Sequence, residues 1–484
     1  MKKYITVISA ILIGIGLCAI LYGVLRSGDS AELSVRVADN DGKPAADDGS
    51  GGPVKIEGTL TKGTGTASDI KGNWPWFRGR DFTNVTETDI EMSIDWKDGL
   101  QTLWTIDVGE GYAGPAVYDG KVYIIDYDQN KREDAIRCLS LDDGKEIWRY
   151  SYPVKVSRNH GMSRTVPAVD GKYVVTLGPK CHVTCVDAVT GEFKWMINLV
   201  AEYGTEVPLW YAGQCPFIDE GRAVIAPGGK AMMIAVDCAT GQIVWQTPNP
   251  DGWVMTHTSI TPVKFAGKKM YVWCGGGKYD GGVAGIDAED GKVLWINDQW
   301  KMRTNVPSPI AAGDDKIFVC AGYGEGSMMM QLVENNGKIE ARSLYRLEPE
   351  VFGSDQQTPV FYDGFIYGVR PDCQLVCLDV EGNVVWASGK EFVKLGPWAI
   401  INGMLYVMDG EGRLTLVKAT PKGYEEIAET TVIEGHESWG PIAYVNGRII
   451  VRNLTKMACV KIDSEGTKAR IRPLADTVLF LDSR

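Results

Sequence analysis

Three of the four histidines, His160, His257 and His436, fall shortly before a proline that opens an apolar run, at Pro167, Pro262 and Pro441. The matching stretches elsewhere in the chain supply Arg164, Gln214, Asn305, Gln356, Gln357, Trp398 and Trp439. Imidazoles, neutral amides, a guanidinium and two indoles are the ingredients of a pocket for a small ligand or a partner's peptide. Arg164 is suited to bidentate recognition of an oxyanion. Polar side chains near turns also satisfy loop backbone, and that plainer role competes at every one of these positions. Three imidazoles match the donor count of a catalytic zinc, but only if the fold brings them to one patch.

The 11 cysteines invite a second metal reading. Cys181 and Cys185 match Cys373 and Cys377, yet positions i and i+4 of a strand lie about 13 Å apart, beyond a disulfide or a shared zinc. Cys138, Cys185, Cys377 and Cys459 recur at one place in the repeat described below, as buried thiols packing like small hydrophobes would. "APGGKAMM", 226–233, lacks the spacing of a phosphate loop and reads as a hairpin turn. Met328, Met329 and Met330 read as a strand with alternate side chains in the core, with copper ligation the alternative.

The elements that must position these residues announce themselves by repetition. "LDDGKEIW" at 141–148 returns as "VDAVTGEFKW", "VDCATGQIVW", "IDAEDGKVLW" and "LDVEGNVVW". Each is preceded by a proline, a short apolar run, a Gly-containing turn (often Asp-Gly or Asn-Gly) and a β-branched or aromatic run, beginning at Pro115, Pro167, Pro216, Pro262, Pro309, Pro359, Pro397 and Pro441. The spacings of 52, 49, 46, 47, 50, 38 and 44 residues, with hairpin turns inside each unit, define an all-β, eight-bladed β-propeller of four-stranded antiparallel blades. A Trp at one place in blades one to four and six can pack on the neighbouring blade's turn, while blades five, seven and eight lack it. The eighth unit stops after "CVKIDSEG" without a fourth strand, while "LQTLWTIDVG" at 100–109 carries Trp104 with no blade before it. That strand closes the ring, and the propeller domain is set at 73–484. Blades two, four and eight are then spread around a wide ring, which separates the three histidines. No catalytic residue and no metal-ligand set is assigned. The candidate ligand-binding residues at the channel mouth are Arg164, Gln214, His257, Asn305, Gln356, Trp398 and Trp439.

The Asp, Gly and Trp phrases, with the "NWPWFRGRDFTNV" lead-in at 73–85, resemble the pyrroloquinoline-quinone-like (PQQ-like) propeller repeats over about residues 73–462. That family includes quinoprotein alcohol dehydrogenases and the noncatalytic lipoprotein propeller of the outer-membrane barrel-assembly machinery. The resemblance implies fold more than activity, because the repeat is architectural. A quinoprotein of the family carries an adjacent Cys-Cys pair, carboxylate and amide calcium ligands and an Asp base. No two cysteines here are adjacent, and no Cys-x-x-Cys-His is present. The expectation is therefore a noncatalytic scaffold or binding platform with no cofactor. A PQQ- and calcium-dependent oxidoreductase with a divergent site is the alternative, and a glycan- or polymer-binding propeller a third reading.

Lys2 and Lys3 precede an uncharged run from Ile5 to Leu25, which as a helix spans about 32 Å, enough for a bilayer core. Residues 1–26 read as an uncleaved signal anchor, and Cys18, mid-run after the bulky Leu17, does not read as a lipidation site. With the lysines inside, the propeller lies on the periplasmic or extracytoplasmic side of an inner membrane crossed once. Residues 27–72, rich in Gly, Asp, Ala, Ser and Lys, read as a flexible linker. The net charge of -12 and pI near 5.1 argue against a nucleic-acid or anionic-membrane surface, and the resemblance with this placement implies an envelope protein or peptide as the expected partner. Full-length protein is expected to stay with the membrane through a carbonate wash, while a chain beginning near Gly72 dissolves without detergent. Intact full-length protein in the wash would remove the anchor.

Overall fold

The strand after Pro115, Ala116–Tyr118, turns at Asp119 and Gly120, where φ is 45° and 73°, into Lys121–Asp128. Two successive positive φ values make the hairpin turn whose twist matches its strands, which is why Asp-Gly or Asn-Gly recurs there. Asn402-Gly403 (50°, 71°) and Asn446-Gly447 (45°, 76°) repeat it. The computed structural model describes residues 57–464 except 278–280, 303 and 393–395, and over these the eight prolines begin eight antiparallel sheets. Among the described residues no helix is long and apolar enough to cross a membrane, and the helix expected over 1–26 lies outside them.

Each blade is sandwiched between two others, so its middle strands are buried on both faces and read as continuous apolar runs. Lys121–Asp128, Tyr173–Leu177 and Ala231–Asp237 are buried along nearly their whole length, whereas the outer strand Ile243–Pro248 alternates. The core lies in the wedges between blades. Met328, Met329 and Met330 are all buried in the strand Gly326–Asn335, so both of its faces are core rather than alternate positions. Every described cysteine is buried except Cys373, which is partly exposed.

The repeated phrase is a docking device. Asp187 Oδ1 accepts the N–H groups of Val189 (3.0 Å) and Thr190 (2.8 Å), and Gly191 N–H donates to the Asp187 carbonyl (2.9 Å). That turn holds a glycine in the left-handed region directly under the preceding blade's Trp: a Cβ on Gly191 would come within 2.6 Å of Trp148, and one on Gly241 within 2.7 Å of Trp195. Trp104, Trp195 and Trp386 donate from Nε1 to Leu141, Cys238 and Thr420 carbonyls of the next blade's turn, at 2.9, 2.8 and 2.7 Å. Blade five has no Trp there, and Tyr345 substitutes, its hydroxyl donating to the Val380 carbonyl (2.9 Å).

A second belt joins blades near the axis. In blades three to six the residue two positions before the innermost strand carries a hydroxyl or thiol that accepts the N–H of its counterpart in the preceding blade: Val166 to Cys215 (3.2 Å), Cys215 to Ser259 (2.9 Å), Ser259 to Ser308 (2.9 Å) and Ser308 to Thr358 (3.0 Å). At blades seven, eight and one the proline follows Gly396, Gly440 and Gly114 instead. A Cβ on Gly440 would lie 2.4 Å from Arg452, the residue that takes over at the seam. Arg452 is 1% exposed and donates to four carbonyls, of Asn453 (3.0 Å) and Leu454 (2.9 Å) in its own blade and of Gly109 (3.0 Å) and Ala113 (3.2 Å) leading into the first. The strand expected over 100–109 occupies Thr102–Asp107 and pairs antiparallel with Lys456–Lys461 in the last blade, Trp104 opposite Cys459.

Two blades depart from four strands. Thr59–Lys62 pairs with the outer strand Glu146–Pro153 of blade one, and Ser68 is buried with its N–H on the Gly120 carbonyl (3.0 Å). The linker expected over 27–72 is thus corrected over its last part. A sheet edge needs only backbone to recruit a strand, so polar composition did not prevent pairing. Val85–Thr86 joins blade seven in parallel beside Trp398–Ile401.

A chain beginning at residue 110 lacks the closing strand and bares the Lys456–Lys461 edge. It is expected to aggregate or to melt far below the longer chain, and equal melting would refute closure. Arg452→Met leaves four carbonyls without their donor, so equilibrium urea unfolding should register a loss on the order of 3 kcal/mol or more.

Candidate functional site

The innermost strands begin at one end of the axis, and the loops before them line a cavity of about 300 Å³. Its floor includes Phe77, from the lead-in at 73–88. That segment crosses the axis: Trp74 exchanges two 2.8 Å hydrogen bonds with Val117 of blade one, Phe82 meets Phe217 of blade three at 5.1 Å, and the Asn84 carbonyl accepts from Ile400 of blade seven (2.9 Å). The channel is therefore closed below the mouth.

Two aromatic walls face the cavity. Trp210 stacks between His257 (6.0 Å) and Tyr323 (5.8 Å), and Tyr112 packs on Trp439 at 5.3 Å. Arg164 lies over the Tyr112 ring at 5.2 Å, with Nη1 and Nη2 each 3.0 Å from the carbonyls of Gly161 and Asn159. No carboxylate among the described residues lies within ion-pair distance of it. Burial lowers its pKa to about 10, so it stays charged at neutral pH. His257 is pushed down to about 3, by burial first and by Arg164 second, and is a neutral ring. Tyr112 donates to the Glu437 carboxylate (2.7 Å), and burial with that bond holds its phenol protonated.

The backbone around this cavity is strained. His160 (φ 59°), Trp210 (65°), Tyr211 (74°), Tyr323 (58°) and Glu437 (57°) are all in the left-handed region, which costs a side-chain-bearing residue free energy. In Trp210 and Tyr211 the strain is consecutive, and it turns the indole inward. Gly213 leaves room for His257, since a Cβ there would come 2.8 Å from Nδ1. A second cavity of about 270 Å³ adjoins the first across Gln356, Gln357 and Trp439, and holds Asp355, Arg370 and the partly exposed Cys373.

Of the residues singled out in the sequence, Arg164, His257, Gln356, Gln357, Trp439 and His160 line the mouth. Four others do not. Gln214 is fully buried and spends its amide on both backbone groups of Ala226, accepting at 2.8 Å and donating at 3.2 Å. Asn305, 2% exposed, accepts from Trp300 Nε1 (3.1 Å). Trp398 follows its proline rather than preceding it, so it lies inside the innermost strand and packs in the core between blades six and seven. His436 is exposed outside the lining. Sequence reasoning missed Tyr112 and Trp210, although both stand in the pre-proline segments that it scanned. Tyr323 and Phe77 come from a hairpin tip and from the lead-in, where no periodic signal pointed.

Among the described residues no three of His, Cys, Asp and Glu are grouped to hold a metal ion. A calcium-bound quinone does not fit this donor set. Calcium takes six to eight oxygens, usually with several carboxylates, whereas Glu437 is tied to Tyr112 and Asp355 accepts the Tyr323 N–H (2.9 Å) in the neighbouring cavity.

The family model described as outer membrane protein assembly factor BamB matches residues 132–388. The Yersinia pestis protein of that name is 20% identical over 329 residues, 60% of this chain and 73% of its own length. The dehydrogenase subunit of a quinone alcohol dehydrogenase from Komagataeibacter europaeus is 27% identical over 312 residues, but this chain spans only 38% of it. Among solved structures, BamB from Moraxella catarrhalis superimposes with a TM-score of 0.53 at 14% identity, covering 75% of this chain and all of that one. A europium-containing methanol dehydrogenase gives 0.58 at 13%, covering 80% and 90%. With the family model spanning more than half of its length, and the blades, docking tryptophans and closing strand in place, the chain belongs to the BamB-like family of PQQ-type β-propellers.

Proposed function

We propose that this protein is a noncatalytic binding platform of the cell envelope, anchored in the inner membrane by residues 1–26 with its propeller on the extracytoplasmic side. The axial mouth seats a segment of an envelope partner. The observation that carries this reading is the cluster of strained, side-chain-bearing residues around one cavity, His160, Trp210, Tyr211, Tyr323 and Glu437. Strain persists where surrounding structure imposes it, and such residues gather at ligand sites. The aromatic walls offer large contact area at low entropic cost, and Arg164 offers a charge with no carboxylate of the described residues at ion-pair distance. The likeness to proteins named as assembly factors supports the platform.

Photo-crosslinking in intact cells tests it. A crosslinker placed at Gln356 is expected to trap a discrete envelope polypeptide, and Arg164→Glu to abolish the product while leaving the fold intact. No product from the mouth, with products from the outer strands, would sink the reading.

The quinone alcohol dehydrogenase relative keeps a second reading alive, that of a quinoprotein oxidoreductase with a divergent site. Mixing the protein with PQQ and calcium is expected to give no saturable quinone absorbance and no dye-linked alcohol or sugar oxidation. Turnover that Arg164→Ala abolishes would put the enzyme first.

A further inference from the structure

The mouth cavity and the second cavity of about 270 Å³ beside it share Gln356, Gln357 and Trp439 as a common wall. Gln357 holds that wall in shape: its N–H donates to Ser354 Oγ (3.1 Å) and its Nε2 to the Trp439 carbonyl (3.3 Å). Gln356 is exposed, and its amide makes no hydrogen bond to the described residues, so it is open to whatever crosses from one cavity to the other. One charge faces each cavity. Arg164 lines the first, with two backbone carbonyls but no carboxylate of the described residues at ion-pair distance. Asp355 lines the second: its Oδ1 accepts the Tyr323 N–H (2.9 Å), and no cation of the described residues is at ion-pair distance from it. Arg370, in the same cavity, is taken by Asp372 at 2.6 Å. Arg164 and Asp355 flank Tyr323 without pairing with each other. The Tyr323 phenol is pushed up to about 12, by burial first, with Asp355 raising it further and Arg164 opposing.

A cation and an anion on opposite sides of one wall call for an occupant of opposite polarity on each side. Resting on the reading that the mouth seats a segment of an envelope partner, we propose that this segment carries both signs of charge. An Asp or Glu side chain enters the first cavity against Arg164, and a few residues along a Lys or Arg side chain enters the second against Asp355. The backbone between them crosses the wall, where the Gln356 amide can donate to it and accept from it. A uniformly acidic segment would bring like charge to Asp355, and a uniformly basic one would bring it to Arg164. A small carboxylate or amine would fill one cavity and leave the charge in the other unmatched. The other charges of these loops are already engaged, Glu437 by the Tyr112 hydroxyl (2.7 Å) and Arg158 by Glu110. Opposite charges in separate cavities also fix the direction in which the segment lies, because reversing it sets like charges together in both.

The test is a second crosslinking position in the full chain in cells. A crosslinker at Pro371, exposed in the lining of the second cavity, is expected to trap the same polypeptide as one at Gln356. Mass spectrometry is expected to map both products to one short stretch that holds an acidic and a basic residue. Asp355→Asn, which keeps an acceptor for the Tyr323 N–H, is expected to lower both yields several-fold. Asp355→Lys, combined with a change of the mapped basic residue to Glu, is expected to restore them. A product at Gln356 alone, yields unmoved by Asp355→Asn, or a mapped stretch without a basic residue would each overturn the two-charge segment while leaving the platform reading in place. No product at either position would remove the platform and this proposal together.

Discussion

The constraint on which everything else depends is that the last blade is built from both ends of the domain. Lys456–Lys461 is a middle strand only because Thr102–Asp107, over 340 residues away in sequence, lies on its outer side. Without that pairing the eighth sheet has a bare hydrogen-bonding edge and blade one has no Trp104 over its turn. Arg452 supplements the closure at the inner radius, where the hydroxyl and thiol belt of blades two to six is missing. The guanidinium meets four carbonyls in a geometry that no single Ser or Thr could reproduce.

The mouth depends on the same seam. Tyr112 precedes the first blade, while Glu437 and Trp439 precede the last, and they meet only when the ring is shut. One of the two aromatic walls of the candidate pocket is therefore a product of closure. The lead-in at 73–88 adds a floor by crossing from the first three blades to the seventh, which turns a channel into a blind cavity. The strained loops and Arg164 stand on this frame, as sites positioned by a scaffold do.

Assembly factors and quinone dehydrogenases share this propeller, so the blades by themselves do not separate the two functions. The separation lies in what the loops present at the axis. Here they present indoles, phenols and amides with a guanidinium that bonds backbone carbonyls, and few carboxylates able to share a divalent ion.

The sequence by itself determined the number of blades, the order of strands, the closing strand around Trp104 and the place of the turn glycines. Each of these is local or periodic: a positive-φ turn needs its Gly or Asn, and a doubly covered strand needs its apolar run. Tertiary structure alone decided which pre-proline side chains face the axis. Gln214 and Asn305 have the right chemistry at the right distance from a proline, yet one local backbone pair took up the Gln214 amide and one indole the Asn305 side-chain oxygen. Tyr323 and Phe77 reached the pocket from segments with no shared register. Thr59–Lys62 became a strand because blade one's edge was open, which its own composition does not encode. Periodicity records where a residue sits along a strand, but the direction in which a loop side chain points is set by partners from other blades, and those partners are brought together only by the closed ring.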